Sequence, residues 1–130
     1  MSNAQKFARV FGAVYVLVGI LGFIPAVGGS TSQTGNELLG IFGINLLHNV
    51  VHIAVGAAFL VGSSSDSAAR GISIAIGVVY LLVAVLGFMN LEFMVDLLAI
   101  NTADNILHIA TAALALYFGL AGRGAAATAT

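Results

Sequence analysis

Long apolar runs separated by short polar breaks dominate this chain, and they predict its main elements. The apolar runs cover about residues 7–27, 44–62, 72–89 and 105–121. Each approaches the roughly 20 residues that an α-helix needs to cross the hydrocarbon core of a bilayer. The pattern therefore predicts four transmembrane helices.

Composition strengthens this prediction and excludes several classes of protein. Hydrophobic residues make up 60% of the chain and charged residues only 7%, whereas an ordinary soluble domain is about a quarter charged. A water-soluble fold of this size has too little interior to bury so much apolar surface. The net charge of -1 and the absence of cysteine argue against a nucleic-acid partner, a disulfide framework and thiolate chemistry. Nothing resembles a phosphate loop or a nucleophile with its base, so no enzyme is expected.

An internal repeat relates the two halves of the chain. The segment GAVYVLVGILGF (12–23) matches GVVYLLVAVLGF (77–88), and INLLHNVVHIA (44–54) matches INTADNILHIA (100–110). The sequence thus predicts two tandem helical hairpins, about residues 7–62 and 72–121, in a single transmembrane domain spanning 1–130. The predicted fold class is an all-α, integral membrane four-helix bundle with a flexible tail at 122–130. The short pieces LLGIFG and MVDLLA are expected to lie in the membrane interface or to dip into it.

Basic residues predict the orientation. Lys6 and Arg9 precede the first apolar run, Arg70 precedes the third, and Arg123 follows the fourth. All four fall on one side of the membrane, which the positive-inside rule makes cytoplasmic. We therefore expect both termini in the cytoplasm and the chain in the cell (inner) membrane. A secretory signal peptide at the start is less favoured, because the first run has a close match in the third.

Polar stripes interrupt the second and fourth helices. Residues three, four and seven apart share one face of a helix. Since a polar group facing lipid costs several kcal/mol, these stripes are expected to face the protein interior. Two tyrosines, repeat equivalents inside the first and third helices, are expected to supply hydrogen-bonding groups nearby. The predicted polar cluster consists of Asn45, His48, Asn49, His52, Asn101, Asp104, Asn105, His108, Tyr15 and Tyr80.

The cluster supports several interpretations. A metal site could use His48, His52, Asp104 and His108, because histidines four residues apart point the same way from a helix. A haem could instead take His52 and His108 as its two axial ligands. The structural alternative, which the sequence favours, is a hydrogen-bond network that locks the two repeats together without any cofactor.

Capping offers a local role for part of the same cluster. Asn45 and either Asn101 or Thr102 are predicted N-caps of the second and fourth helices. Asp104 then lies in a first helical turn, where the helix dipole favours an acid. The sequence favours this structural role of Asp104 over a role as a metal ligand or proton carrier.

The stretches ELLGIFGINLLHNVVHIAVG (37–56) and NTADNILHIATAALAL (101–116) resemble a family of small bacterial four-span membrane proteins classed as a domain of unknown function. The opening segment 4–25 is similar to that family as well. The resemblance implies four transmembrane helices and a shared motif, but it carries no known activity. That motif comprises His48, Asn49, His52, Asp104, Asn105 and His108.

The sequence thus favours a non-enzymatic membrane protein with a structural, accessory or partner-binding role. Its expected partners are the lipid bilayer and a larger membrane complex or further copies of the chain. The alternatives are a haem- or metal-binding protein, and a small transporter or proton-conducting subunit that acts as an oligomer.

Overall fold

Five α-helices and one β-hairpin form the described part of the chain, residues 1–121 of a computed structural model. The predicted flexible tail at 122–130, with Arg123, lies outside the described residues. In chain order the elements are α1 (Asn3–Leu21), a 3₁₀ turn (Pro25–Val27), β1 (Asn36–Leu38), β2 (Phe42–Ile44), α2 (Leu46–Gly62), α3 (Asp66–Phe88), α4 (Glu92–Leu98) and α5 (Thr102–Leu120).

Three of the described helices, α1, α3 and α5, are long and apolar enough to cross a membrane. Their large apolar side chains are widely exposed, as on Leu17, Val78 and Leu82. Helix α2 is also apolar but has 17 residues, which gives a length of about 26 Å. Length and composition therefore support three of the four predicted crossings directly.

Side-chain caps fix where the long helices begin. Ser2, Asn45, Ser65 and Asn101 each accept a hydrogen bond from a backbone N–H in the first turn of the following helix. The cap at Ser65 explains why α3 begins well before the predicted position near residue 72. The predicted N-caps Asn45 and Asn101 are confirmed.

Small residues bring the long helices together in pairs, α1 with α2 and α3 with α5. One close approach joins Gly12 and Gly56. A Cβ atom on Gly56 would lie 2.6 Å from the backbone nitrogen of Val16 and 2.7 Å from the carbonyl oxygen of Gly12. Gly77 and Gly119 lie similarly close to side chains across the α3–α5 contact. Such close backbone approach is typical of helix packing in membranes.

The chain is mostly helical, as predicted, but the connection between α1 and α2 contains two short strands that the sequence did not predict. There β1 and β2 pair as an antiparallel hairpin, with Leu38 opposite Phe42. Leu39 and Gly40 make the turn with φ values of 56° and 68°. Leu38 and Ile44 are buried under the hairpin. The hairpin forms because burying these two apolar residues fixes the strand register.

The second connection contains the short helix α4, which has seven residues and cannot span a membrane. It ends at Ala99 in the left-handed conformation. Helix α4 and the hairpin lie at the same end of the molecule, because Gln33 and Asn45 both donate to the carbonyl oxygen of Leu97. We call this the hairpin end.

Candidate metal centre

Three histidine side chains converge near the hairpin end of the long helices. His48 and His52 come from α2, one helical turn apart, and His108 comes from α5. Their potential ligand nitrogens all lie within 4.8 Å of one another. The ring centroids are 4.4 Å apart for His48 and His52, and 5.9 Å apart for His48 and His108. All three rings are almost completely buried, at 2%, 4% and 2% exposure.

Four of the six imidazole nitrogens in this group have no hydrogen-bond partner among the described residues. Nδ1 of His48, both nitrogens of His52 and Nδ1 of His108 are buried without a hydrogen-bond partner among the described residues. Most buried polar groups in proteins are hydrogen-bonded, and an unsatisfied group costs about 1–3 kcal/mol. The four unpartnered nitrogens make the three histidines a candidate ligand group.

Tyr15 and Tyr80 form a layer against the histidines. The edge-to-face contacts have ring centroids 5.3 Å apart for Tyr15 and His52, and 5.0 Å apart for Tyr80 and His108. The two tyrosine rings contact each other at 5.6 Å. The Tyr15 hydroxyl shares a 2.8 Å hydrogen bond with Oγ1 of Thr111. The tyrosines therefore restrict the orientation of two of the three imidazoles.

Asp104 lies apart from this group. Its carboxylate accepts a 2.8 Å hydrogen bond from the backbone N–H of Asn101, and the Asn101 side chain accepts one from the backbone N–H of Asp104. This reciprocal pair is a capping box at the start of α5. Of the four predicted metal ligands, the structure thus brings together the three histidines and places Asp104 in a helix cap.

The capping asparagines also join the two halves of the chain. Asn45 donates to the carbonyl oxygen of Leu97, 3.0 Å away. Asn101 donates to the carbonyl oxygen of Ile41 in the hairpin, 2.8 Å away. Each capping asparagine therefore forms a hydrogen bond with the connection in the other half of the chain. These two hydrogen bonds link the connections at the hairpin end, next to the histidines.

Asn49 and Asn105 have different surroundings although both follow an N-cap by four residues. The Asn49 amide donates to the carbonyl oxygens of Gly22 and Ser30, at 2.6 and 3.1 Å. The Asn105 amide oxygen, like that of Asn49, is buried without a partner among residues 1–121. It packs against Gly87, as Asn49 packs against Gly22. These asparagines are packing residues that lie outside the imidazole group.

A small cavity of about 60 Å³ adjoins the imidazoles. Pockets that hold drug-sized ligands are larger, at about 300–1,000 Å³. A haem between His52 and His108 would therefore require the helices to separate. A single metal ion needs no such movement, and the donor set suits one, because neutral imidazole is a common ligand of zinc, copper, iron and nickel.

Apolar helices able to cross a membrane and a buried histidine group define a small, mostly helical protein with a polar interior. Residues 5–121 match the family model described as Domain of unknown function (DUF4383), and the chain belongs to that family. Neither the curated proteins nor the solved structures contain a significant match to the chain.

Proposed function

We propose that this protein is an integral membrane protein that binds a divalent transition-metal ion through His48, His52 and His108. The observation that carries the proposal is the burial of three neighbouring imidazoles with four unpartnered nitrogens. Zinc bound by three histidines keeps its fourth position for water or another ligand. Asp104 lies one helical turn before His108 and caps α5 outside this ligand group. The chain would act as a metal-binding protein without catalysis of its own.

The proposal includes a four-helix bundle built from two tandem hairpins, with α2 as the fourth crossing. Matching contacts in the two halves support it, since Gly22 with Asn49 corresponds to Gly87 with Asn105. Tyr15 and Tyr80 also pack against each other from corresponding positions.

Both termini are proposed to lie on the cytoplasmic side of the cell (inner) membrane. Lys6 and Arg9 lie in the first turns of α1, and Arg70 lies near the start of α3. Arg70 donates to the carbonyl oxygens of Leu120 and Ala121 at the end of α5. These positive charges are therefore grouped at the end of the molecule away from the hairpin, which the positive-inside rule makes cytoplasmic.

Metal analysis of the purified protein tests this function. We expect near-stoichiometric zinc, or another first-row metal, by mass spectrometry after purification in mild detergent. After removal of the metal with a chelator, added Co²⁺ should give the visible absorption bands of a four-coordinate site. The proposal would be contradicted if the protein were folded and metal-free and gave no such bands with Co²⁺. The histidines would then be packing residues.

Replacing Asp104 with alanine separates capping from metal ligation. We expect the free energy of unfolding to fall by about 1–2 kcal/mol, because the capping box of α5 is lost. Metal affinity should fall by less than the roughly 10–100-fold that is typical of outer-shell groups, since Asp104 lies outside the histidine group. Unfolding in a mixed-micelle SDS titration and Co²⁺ binding measure the two effects. Glu92→Ala removes an exposed first-turn acid as the control, and complete loss of Co²⁺ binding in Asp104→Ala would make Asp104 a ligand.

A further inference from the structure

The cavity beside the imidazoles is lined by residues of α2, α3, α4 and α5. Beyond the imidazoles and Tyr80, its walls are apolar. Val51 and Val55 belong to α2, Val79 and Val83 belong to α3, and Leu98 ends α4. The cavity therefore occupies the seam between α2 and α3.

Burial shows which side of the cavity is open. Val79 is 54% exposed, and Val51, Val55 and Val83 are partly exposed. Leu98, the wall residue at the hairpin end, is also partly exposed. Other residues at that end are less than 9% exposed, namely Leu38, Ile44, Asn45, Met94 and Asp104. The wall that separates the imidazoles from the side of the molecule is thus made of partly exposed apolar residues of α2 and α3.

This geometry limits what can reach the metal. A valine-lined passage gives no hydrogen bond to an anion or a hydrated ion, and such species lose several kcal/mol when they are desolvated. A neutral molecule dissolved in lipid pays no comparable cost. The volume of about 60 Å³ accommodates only a small donor group, so the remainder of such a molecule would lie in the seam or in the bilayer.

We propose that the metal ion takes its fourth ligand from a neutral, lipid-soluble molecule with a terminal nitrogen or oxygen donor, which enters between α2 and α3. The proposal rests on the metal site proposed above. Three imidazoles leave one coordination position, and the cavity lies against all three of these rings. The protein is then a membrane receptor or carrier for a small lipophilic ligand that is recognised by the metal.

The test uses Co²⁺-loaded full-length protein in lipid nanodiscs, with 1-butylimidazole as a neutral lipid-soluble probe and azide as an anionic water-soluble probe. We expect 1-butylimidazole to shift the visible Co²⁺ bands saturably, and azide at equal concentration to leave them unchanged. Val83→Phe narrows the seam and should weaken 1-butylimidazole binding at least tenfold. Val78→Phe is the matched control, because Val78 is exposed on the same helix but does not line the cavity.

Each outcome is informative. If Val83→Phe does not fold, Val79→Phe replaces it at the mouth of the same seam. Azide binding as strong as that of 1-butylimidazole, or equal probe binding by Val83→Phe and Val78→Phe, would overturn lateral entry while leaving the metal site intact. Absence of Co²⁺ bands in the wild-type protein would instead overturn the metal site itself, and this inference with it.

Discussion

Replacing His52 with leucine is expected to abolish metal binding while leaving the metal-free protein at least as stable as the wild type. Both imidazole nitrogens of His52 are buried without partners in the described chain. Substituting an apolar side chain removes a desolvation cost of about 1–3 kcal/mol and loses no hydrogen bond. As a direct ligand, His52 should contribute more than the roughly 10–100-fold in affinity typical of outer-shell groups.

The measurement is unfolding in SDS titrations with chelator and with added Zn²⁺. At a metal concentration of 100 Kd, the wild type should gain about 2.7 kcal/mol and His52→Leu should gain nothing. Asn49→Leu is the matched control on the same helix face. Its amide makes two hydrogen bonds, so this variant should lose about 1–3 kcal/mol and still bind metal. If His52→Leu is destabilised like Asn49→Leu and Zn²⁺ stabilises neither the wild type nor the variants, the histidines are packing residues.

The convergence of the histidines is the part of the candidate site that the sequence predicts best. His48 and His52 are separated by one helical turn, so their common face follows from helix geometry alone. The cost of a polar group in lipid then directs that face inward. The match between residues 44–54 and 100–110 places His108 at the same depth in its own helix. Helical periodicity and the lipid surroundings together thus predict the histidine cluster without any tertiary information.

The role of Asp104 depends on the direction of one carboxylate, which spacing does not determine. A position four residues before His108 suits both a metal ligand and the third residue of a capping box. The close pairing of Asn101 and Asp104 in space selects the cap. Likewise, Thr111 lies outside the predicted polar cluster, and only the packing of α1 against α5 makes it the partner of Tyr15.

The connections and the cavity could not be predicted, for two physical reasons. The segment LLGIFG is too short for its periodicity to separate strand from helix, and its hairpin depends on positive φ values at Leu39 and Gly40. The cavity depends on the side-chain volumes that meet at the seam between α2 and α3. Four valines leave space at this seam that bulkier residues would fill. Helix packing decides which residues meet there.

Replacing Gly56 with alanine is expected to separate α1 from α2 and to destabilise the protein by about 1–3 kcal/mol, the usual cost of overpacking. The new Cβ atom would meet backbone atoms of Val16 and Gly12 at 2.6 and 2.7 Å. Backbone cannot rotate away as a side chain can, so the helices themselves must move. The measurement is the SDS titration of the metal-free protein.

Gly71→Ala provides the matched control, because it is the same substitution in a helix with nothing within 4 Å of the new Cβ atom. Alanine is favoured over glycine in helix interiors by about 1 kcal/mol, so Gly71→Ala should be neutral or stabilising. Equal stability of the two variants would contradict close α1–α2 packing.

Gly56 lies four residues after His52 on α2. A displacement of α2 should therefore also move His52 away from Tyr15 and His108, so Gly56→Ala, unlike Gly71→Ala, is expected to weaken Co²⁺ binding together with stability.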